Sequence, residues 1–203
     1  MRSAILATAL ASTLALAVAE PAMSETCQDK FVRVMTERDT TSPVKIHVTQ
    51  EITGGMKSTN WNYQDGKGNW RTEMIDPETM PWSLMVDNIL YSSTNKGATW
   101  TKVRKMDAGA SPEAVAAQLA ERAKTVRNAE CGEAELDGVK YETVAADYDM
   151  GGNFSAVVHD KFWVHPDSGF IPKLETKMKG GNFESLTTQL VEPAPGLEIA
   201  APE

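Results

Sequence analysis

Alternation constrains this chain more than any other feature. In "PVKIHVTQEI", Val44, Ile46, Val48 and Ile52 alternate with Lys45, His47, Thr49 and Glu51, the period of two that belongs to a strand with one face buried and one wet. Gly54-Gly55 and Asp65-Gly66-Lys67-Gly68 then bound two further strands, over 56–64 and 69–75. After a "DPETMP" loop, strands over 82–86, 89–93 and 98–103 are joined by "DN" and "TNKG" turns. Short strands joined by tight turns pair antiparallel, because a parallel pair needs a much longer crossover. This half of the chain reads as a meander.

Two segments change the period. Over 25–38, Phe31, Val34 and Met35 fall at helical spacing and predict a helix laying one stripe on a core. In the middle of the chain Ser111 can cap, Pro112 suits a first helical turn, and Glu113 favours the positive end of the dipole. Val115, Leu119, Ala123 and Val126 then form one narrow apolar stripe. Strand patterns resume after Cys131 through "DGVKYETVAADYDM", "NFSAVVHDKFWVHP", "GFIPKLETKM" and "NFESLTTQLVEP". The expectation is helix, about six strands, helix, about four strands: one α+β domain over 25–203 around a curved antiparallel sheet.

The first residues bear on location. Arg2, the apolar run "AILATALASTLALAV" and the small-x-small "AVA" ending at Ala19 predict a cleaved secretory signal peptide over 1–19, with a second possible cut after Ser24. The expectation is a periplasmic protein that is not integral to the membrane. Loss of Arg2 takes the formal charge from -8 to -9. An acidic chain repels phosphate backbones and anionic headgroups, so nucleic acid is not an expected partner. Cys27 and Cys131 are the only cysteines; in an exported protein such a pair is most simply a disulfide. Two unrelated thiols or a redox pair are the alternatives, and the Cys-x-x-Cys spacing of a redox pair is absent.

Little in the sequence suggests catalysis. His159 and His165 lie on one face of the same strand, too far apart to share an ion, and His47 alternates onto a polar face. Asp160 and Asp167 could be cast as an acid/base couple, but charges beside a strand turn usually serve solubility. No nucleophile elbow, zinc motif, phosphate loop or Cys/His cluster occurs, so neither an enzyme nor a cofactor or metal is expected. Met74, Met80 and Met85 cluster near Trp70 and Trp82. Thioethers suit an adaptable apolar pocket, an ordinary core or Cu(I), although no Met-x-x-Met pair or nearby histidine supports copper.

The order of elements, with "NWNYQDGKGNWRTEM", "VDNILYSSTNKGATW", "FWVHPDSGFIPKLET" and the tail "TTQLVEPAPGLEIAAPE", resembles the LolA/LolB-like family of periplasmic lipoprotein-localisation factors. The resemblance implies an unclosed β half-barrel with the helices as a lid over its concave face and acyl chains held between them. It also implies a ligand-binding set drawn from sheet and lid: Ile46, Val48, Trp61, Tyr63, Trp70, Met74, Trp82, Met85, Val115 and Leu119. In the carrier of that family an arginine, three residues after the first tryptophan of the hairpin, is tied to lid closure and lipoprotein release. Here that position is Gln64, and a neutral amide cannot make a guanidinium's charge-assisted hydrogen bonds. The resemblance is therefore to a relative of the carrier. The expected function is sequestration of a lipid or lipoprotein acyl chain, or similar apolar ligand; the alternative is a module that binds an envelope protein.

Overall fold

A computed structural model describes residues 25–106, 112–151 and 155–202. The expected signal peptide and the Ser111 cap lie outside these residues. The chain forms α1 (Cys27–Glu37), then β1 (Val44–Ile52), β2 (Lys57–Gln64), β3 (Trp70–Asp76), β4 (Trp82–Val86), β5 (Ile89–Ser93) and β6 (Thr101–Lys105). There follow α2 (Pro112–Ala123), β7 (Arg127–Leu136), β8 (Val139–Asp149), β9 (Val157–Val164), β10 (Lys173–Gly180) and β11 (Phe183–Pro193). All eleven strands share one antiparallel sheet, ordered β6-β5-β4-β3-β2-β1-β11-β10-β9-β8-β7. Two meanders thus meet where β1 pairs with β11, from Val44 opposite Pro193 to Ile52 opposite Ser185. The sheet stays unclosed, with β6 and β7 as its edges and α2 in the connection between them.

β7 is the strand that the sequence reading does not anticipate. Its segment, "RNAECGEAEL", is mostly exposed and carries glutamates and a glycine where an alternating apolar row would be. Only one side of an edge strand is held by a neighbour, so its sequence is less constrained by burial.

Both helices lie on one face of the sheet. Thr26 caps α1 by accepting from the Asp29 amide at 3.1 Å, and Cys27 is joined to Cys131 of β7 by a disulfide, with Cα atoms 5.5 Å apart. Phe31, Val34 and Met35 of α1 are buried against Val144, Tyr148, Phe162 and Leu174. The Phe31 ring lies 5.5 Å from that of Phe162 and 6.3 Å from that of Tyr148. Phe31 and Val144 are 0% exposed and Phe162 1%; each fully buried side chain of this size contributes about 1.5–3 kcal/mol. α2 adds Leu119 and Ala123 to the edge of this core, while Val115, expected in the same stripe, is 46% exposed.

A smaller cluster sits on the opposite face. Leu84 and Val86 of β4 pack with Tyr63, Tyr91 and Trp100 under Leu197 and Ile199 of the C-terminal tail.

Candidate functional site

Cross-strand partners in a sheet point to the same face, so the register assigns every side chain to one side or the other. Ile46 lies opposite Val191 of β11, and Gln189 of that strand lies opposite both Val48 and Leu174. Leu174 belongs to the core under α1. Ile46 and Val48 therefore lie on the inner, helix-bearing face. Across β2 their partners are Asn62 and Asn60, and the row continues to Thr72 and Met74 of β3. Gln64 pairs with Trp70, and Trp70 with Met85, on the same face.

Trp61 and Tyr63 are on the other side. They lie opposite His47 and Lys45, so they share a face with each other, and strand alternation puts them out of phase with Ile46 and Val48. Trp61 packs edge-on to His47 at 4.8 Å beneath the Lys45 ammonium, 3.7 Å from its ring. Tyr63 lies under Arg71, which is ion-paired with Glu73 at 2.8 Å. Trp82 is on the outer face as well, since its row is that of Leu84 in the smaller cluster. Of the ten expected binding residues, Ile46, Val48, Trp70, Met74 and Met85 share the inner sheet face. Leu119 reaches it from α2, and Val115 stands in solvent.

The inner face has two unlike halves. From β8 to β10 it is covered by helices and filled by the core. Among the described residues neither helix packs closely on it from β2 to β6, and its side chains mix apolar with neutral polar groups, with Arg104 at the β6 edge. The Gln64 amide donates to the Asn62 oxygen at 2.9 Å, and the Asn62 amide donates to the Thr72 hydroxyl at 2.9 Å. Gln64 thus belongs to an amide ladder facing inward, and Arg71 faces away.

Between the halves lies a cleft of about 180 Å³. Its base is Val44, Ile46, Leu174 and Val191, with Phe170 and Ile171 from the β9–β10 loop, and its rim is Arg38, Asp39, Ser42, Gln64 and Gln189. The loop after α1 is fixed at this rim. Hydrogen bonds from Ser42 and Thr41 hold the Asp39 carboxyl at about 2, well below its ordinary value. The β2–β3 turn seats against the same loop: a Cβ on Gly66, at φ +73°, would lie 1.8 Å from the Thr41 carbonyl oxygen. Asp65 ties that turn together by accepting from the Lys67 and Asn69 amides and the Asn69 side chain.

Asp160 is the polar group that the sequence reading misplaces. It is 6% exposed, not a solubilising charge, and lies on the inner face between Ala146 and Thr176. The Tyr148 hydroxyl donates to it at 2.9 Å and the Thr176 hydroxyl at 2.6 Å. Burial raises the Asp160 pKa, against these hydrogen bonds and the Arg38 charge. The signal for this lay in register: Asp160 occupies the phase of Val158 and Phe162. His159 alternates outward, 2.8 Å from Asp147. It lines a larger, charged trough of about 430 Å³ with Glu130, Lys161, Glu175 and Lys177. Among the described residues no group of three or more His, Cys, Asp or Glu side chains could hold a metal ion, and no helix is long and apolar enough to cross a membrane.

No family profile and no curated protein matches the sequence. Solved structures do match in shape. The crystal structure of MucB has a TM-score of 0.47 and 16% identity over 85% of this chain and 60% of that one. The MucA/MucB complex of Pseudomonas aeruginosa gives 0.44 and 14%, over 84% and 58%. A LolA superfamily protein from Nitrosomonas europaea gives 0.37 and 8%, over 83% and 92%. This chain therefore spans about three fifths of the MucB chains it matches.

Proposed function

We propose that this protein is an exported binding module whose open inner half-sheet takes up a segment of an envelope protein, with the cleft beside Ile46 receiving one apolar side chain of that segment. The observation that carries this reading is how the inner face is filled. Under the helices, Phe31, Val144 and Phe162 occupy the space themselves, and the apolar cleft left beside them is about 180 Å³, below the roughly 300–1,000 Å³ of ligand pockets. The open half sets Trp70 and Met74, both half-buried, among Asn60, Asn62, Gln64 and Thr72, with Met85 buried beside Trp70. A peptide backbone needs hydrogen-bond partners, and these amides and hydroxyls supply them. An acyl chain would desolvate the same groups without compensation.

One feature favours the acyl reading: Val44, Ile46, Phe170, Ile171, Leu174 and Val191 all line the cleft. Lipid extraction with mass spectrometry, combined with displacement of a fluorescent fatty acid, separates the two. The expected result is neither co-purifying lipid at stoichiometric level nor displacement. One acyl chain per protein would return the cleft to lipid carriage. The disulfide fits an oxidising compartment such as the periplasm.

A further inference from the structure

Among the described residues the half-barrel leaves two strand edges unpaired, and they carry opposite charge. β6 presents Lys102, Arg104 and Lys105 at one end of the sheet, and β7 presents Glu130, Glu133 and Glu135 at the other; all six are exposed. None of the six is in an ion pair among the described residues. The match extends to both faces. On the inner side Arg104, opposite Leu90, has the counterpart Glu133, opposite Glu142. On the outer side Lys102, opposite Tyr91, has the counterpart Glu130, opposite Ala145.

Charged edges commonly keep strands of separate molecules apart. That device works when the edges that meet have the same sign, so it blocks β6 against β6 and β7 against β7. It does not block β6 against β7. In a chain of net charge -8, β6 is a concentration of positive charge, and Val103 at its centre is 54% exposed.

We propose that β6 of one copy of this chain pairs with β7 of a second copy, joining the two sheets head to tail. The contact is heterologous, so repetition gives open chains or rings and not a two-fold dimer. β6 is only five residues long, and so small an interface holds weakly and reversibly. Its attraction is largely between exposed charges and is screened by salt.

Sedimentation velocity over a range of protein concentrations, at about 0.01 M and about 1 M salt, tests this, since the Debye length falls between them from about 30 Å to about 3 Å. The expected result is a sedimentation coefficient that rises with concentration at low salt and stays monomeric at high salt. The variant K102E/R104E/K105E has two acidic edges, and E130K/E133K/E135K has two basic edges; each alone should be monomeric. An equimolar mixture of the two should associate again, which damaged folding would not produce. A wild-type protein that stays monomeric at low salt overturns the proposal. So does association that either reversal leaves unchanged, or a mixture that stays monomeric.

Discussion

Ile46 and Trp61 stand on adjacent strands and on opposite faces of the sheet, Ile46 across from Asn62 and Trp61 across from His47. Two side chains that look like one pocket wall in the sequence therefore serve different surfaces. Trp70, paired with Met85 on the inner face, is the aromatic anchor available to a bound segment. Trp70→Ala should weaken partner binding by about 2 kcal/mol, roughly 30-fold, as truncation of an interfacial anchor does. Trp61→Ala should leave that affinity unchanged. Titration calorimetry of the two variants checks both.

Asp160 should make stability depend on pH in an unusual direction. Its folded pKa is raised from the ordinary 3.8, so the folded protein holds this proton more tightly than the unfolded chain. The group therefore opposes folding above its folded pKa, and that cost disappears as pH falls to 3.8. Asp160→Asn should remove this component: as pH drops through that window, the wild type gains stability relative to the variant. Asp160→Ala should cost about 1–3 kcal/mol at neutral pH, because the Tyr148 and Thr176 hydroxyls lose their acceptor. Urea unfolding of all three proteins at several pH values gives the comparison.

The Cys27–Cys131 bridge closes a separation of 104 residues. Loss of a disulfide from a secreted domain costs about 2–5 kcal/mol, and a loop of this length lies toward the upper end in the chain-entropy account. A Cys27→Ala/Cys131→Ala variant should unfold at lower urea by that amount. Its near-ultraviolet circular dichroism should stay native, because Phe31, Val34 and Met35 still dock α1.

Two glycines of one turn should respond differently to alanine. Gly68, at φ +93°, has open space where a Cβ would go, so Gly68→Ala bears only the backbone cost of about 1 kcal/mol. A Cβ on Gly66 would lie 1.8 Å from the Thr41 carbonyl oxygen, so Gly66→Ala must also push the β2–β3 turn off the loop that rims the cleft. A larger drop in melting temperature for Gly66→Ala than for Gly68→Ala is the expected result.

Strand phase was legible wherever apolar and polar residues alternated cleanly: β1, β4 and β5 occupy the expected residues. β7 was not, because an exposed edge needs no apolar row, and Glu133 and Glu135 sit where one would be. The site was less legible than the fold for a related reason. Alternation within a strand says which side chains share a face, but the face is chosen by register with the neighbouring strand. That choice separated Trp61 from Ile46 and took Asp160, with the phase of Phe162, into the core. The resemblance gave the unclosed sheet with both helices on one face, while the packing that fills the helix-covered half depends on contacts such as Phe31 with Phe162, which lie far apart in sequence.

The most direct measurement is photo-cross-linking in cells from a reactive side chain placed at Thr72, with Thr49 on the outer face as the control. The open inner face should yield from Thr72 a covalent adduct with a protein of defined mass, absent from Thr49. An adduct from Thr72 that consists of lipid, or equal protein adducts from both positions, would contradict the assignment of that face to a protein segment.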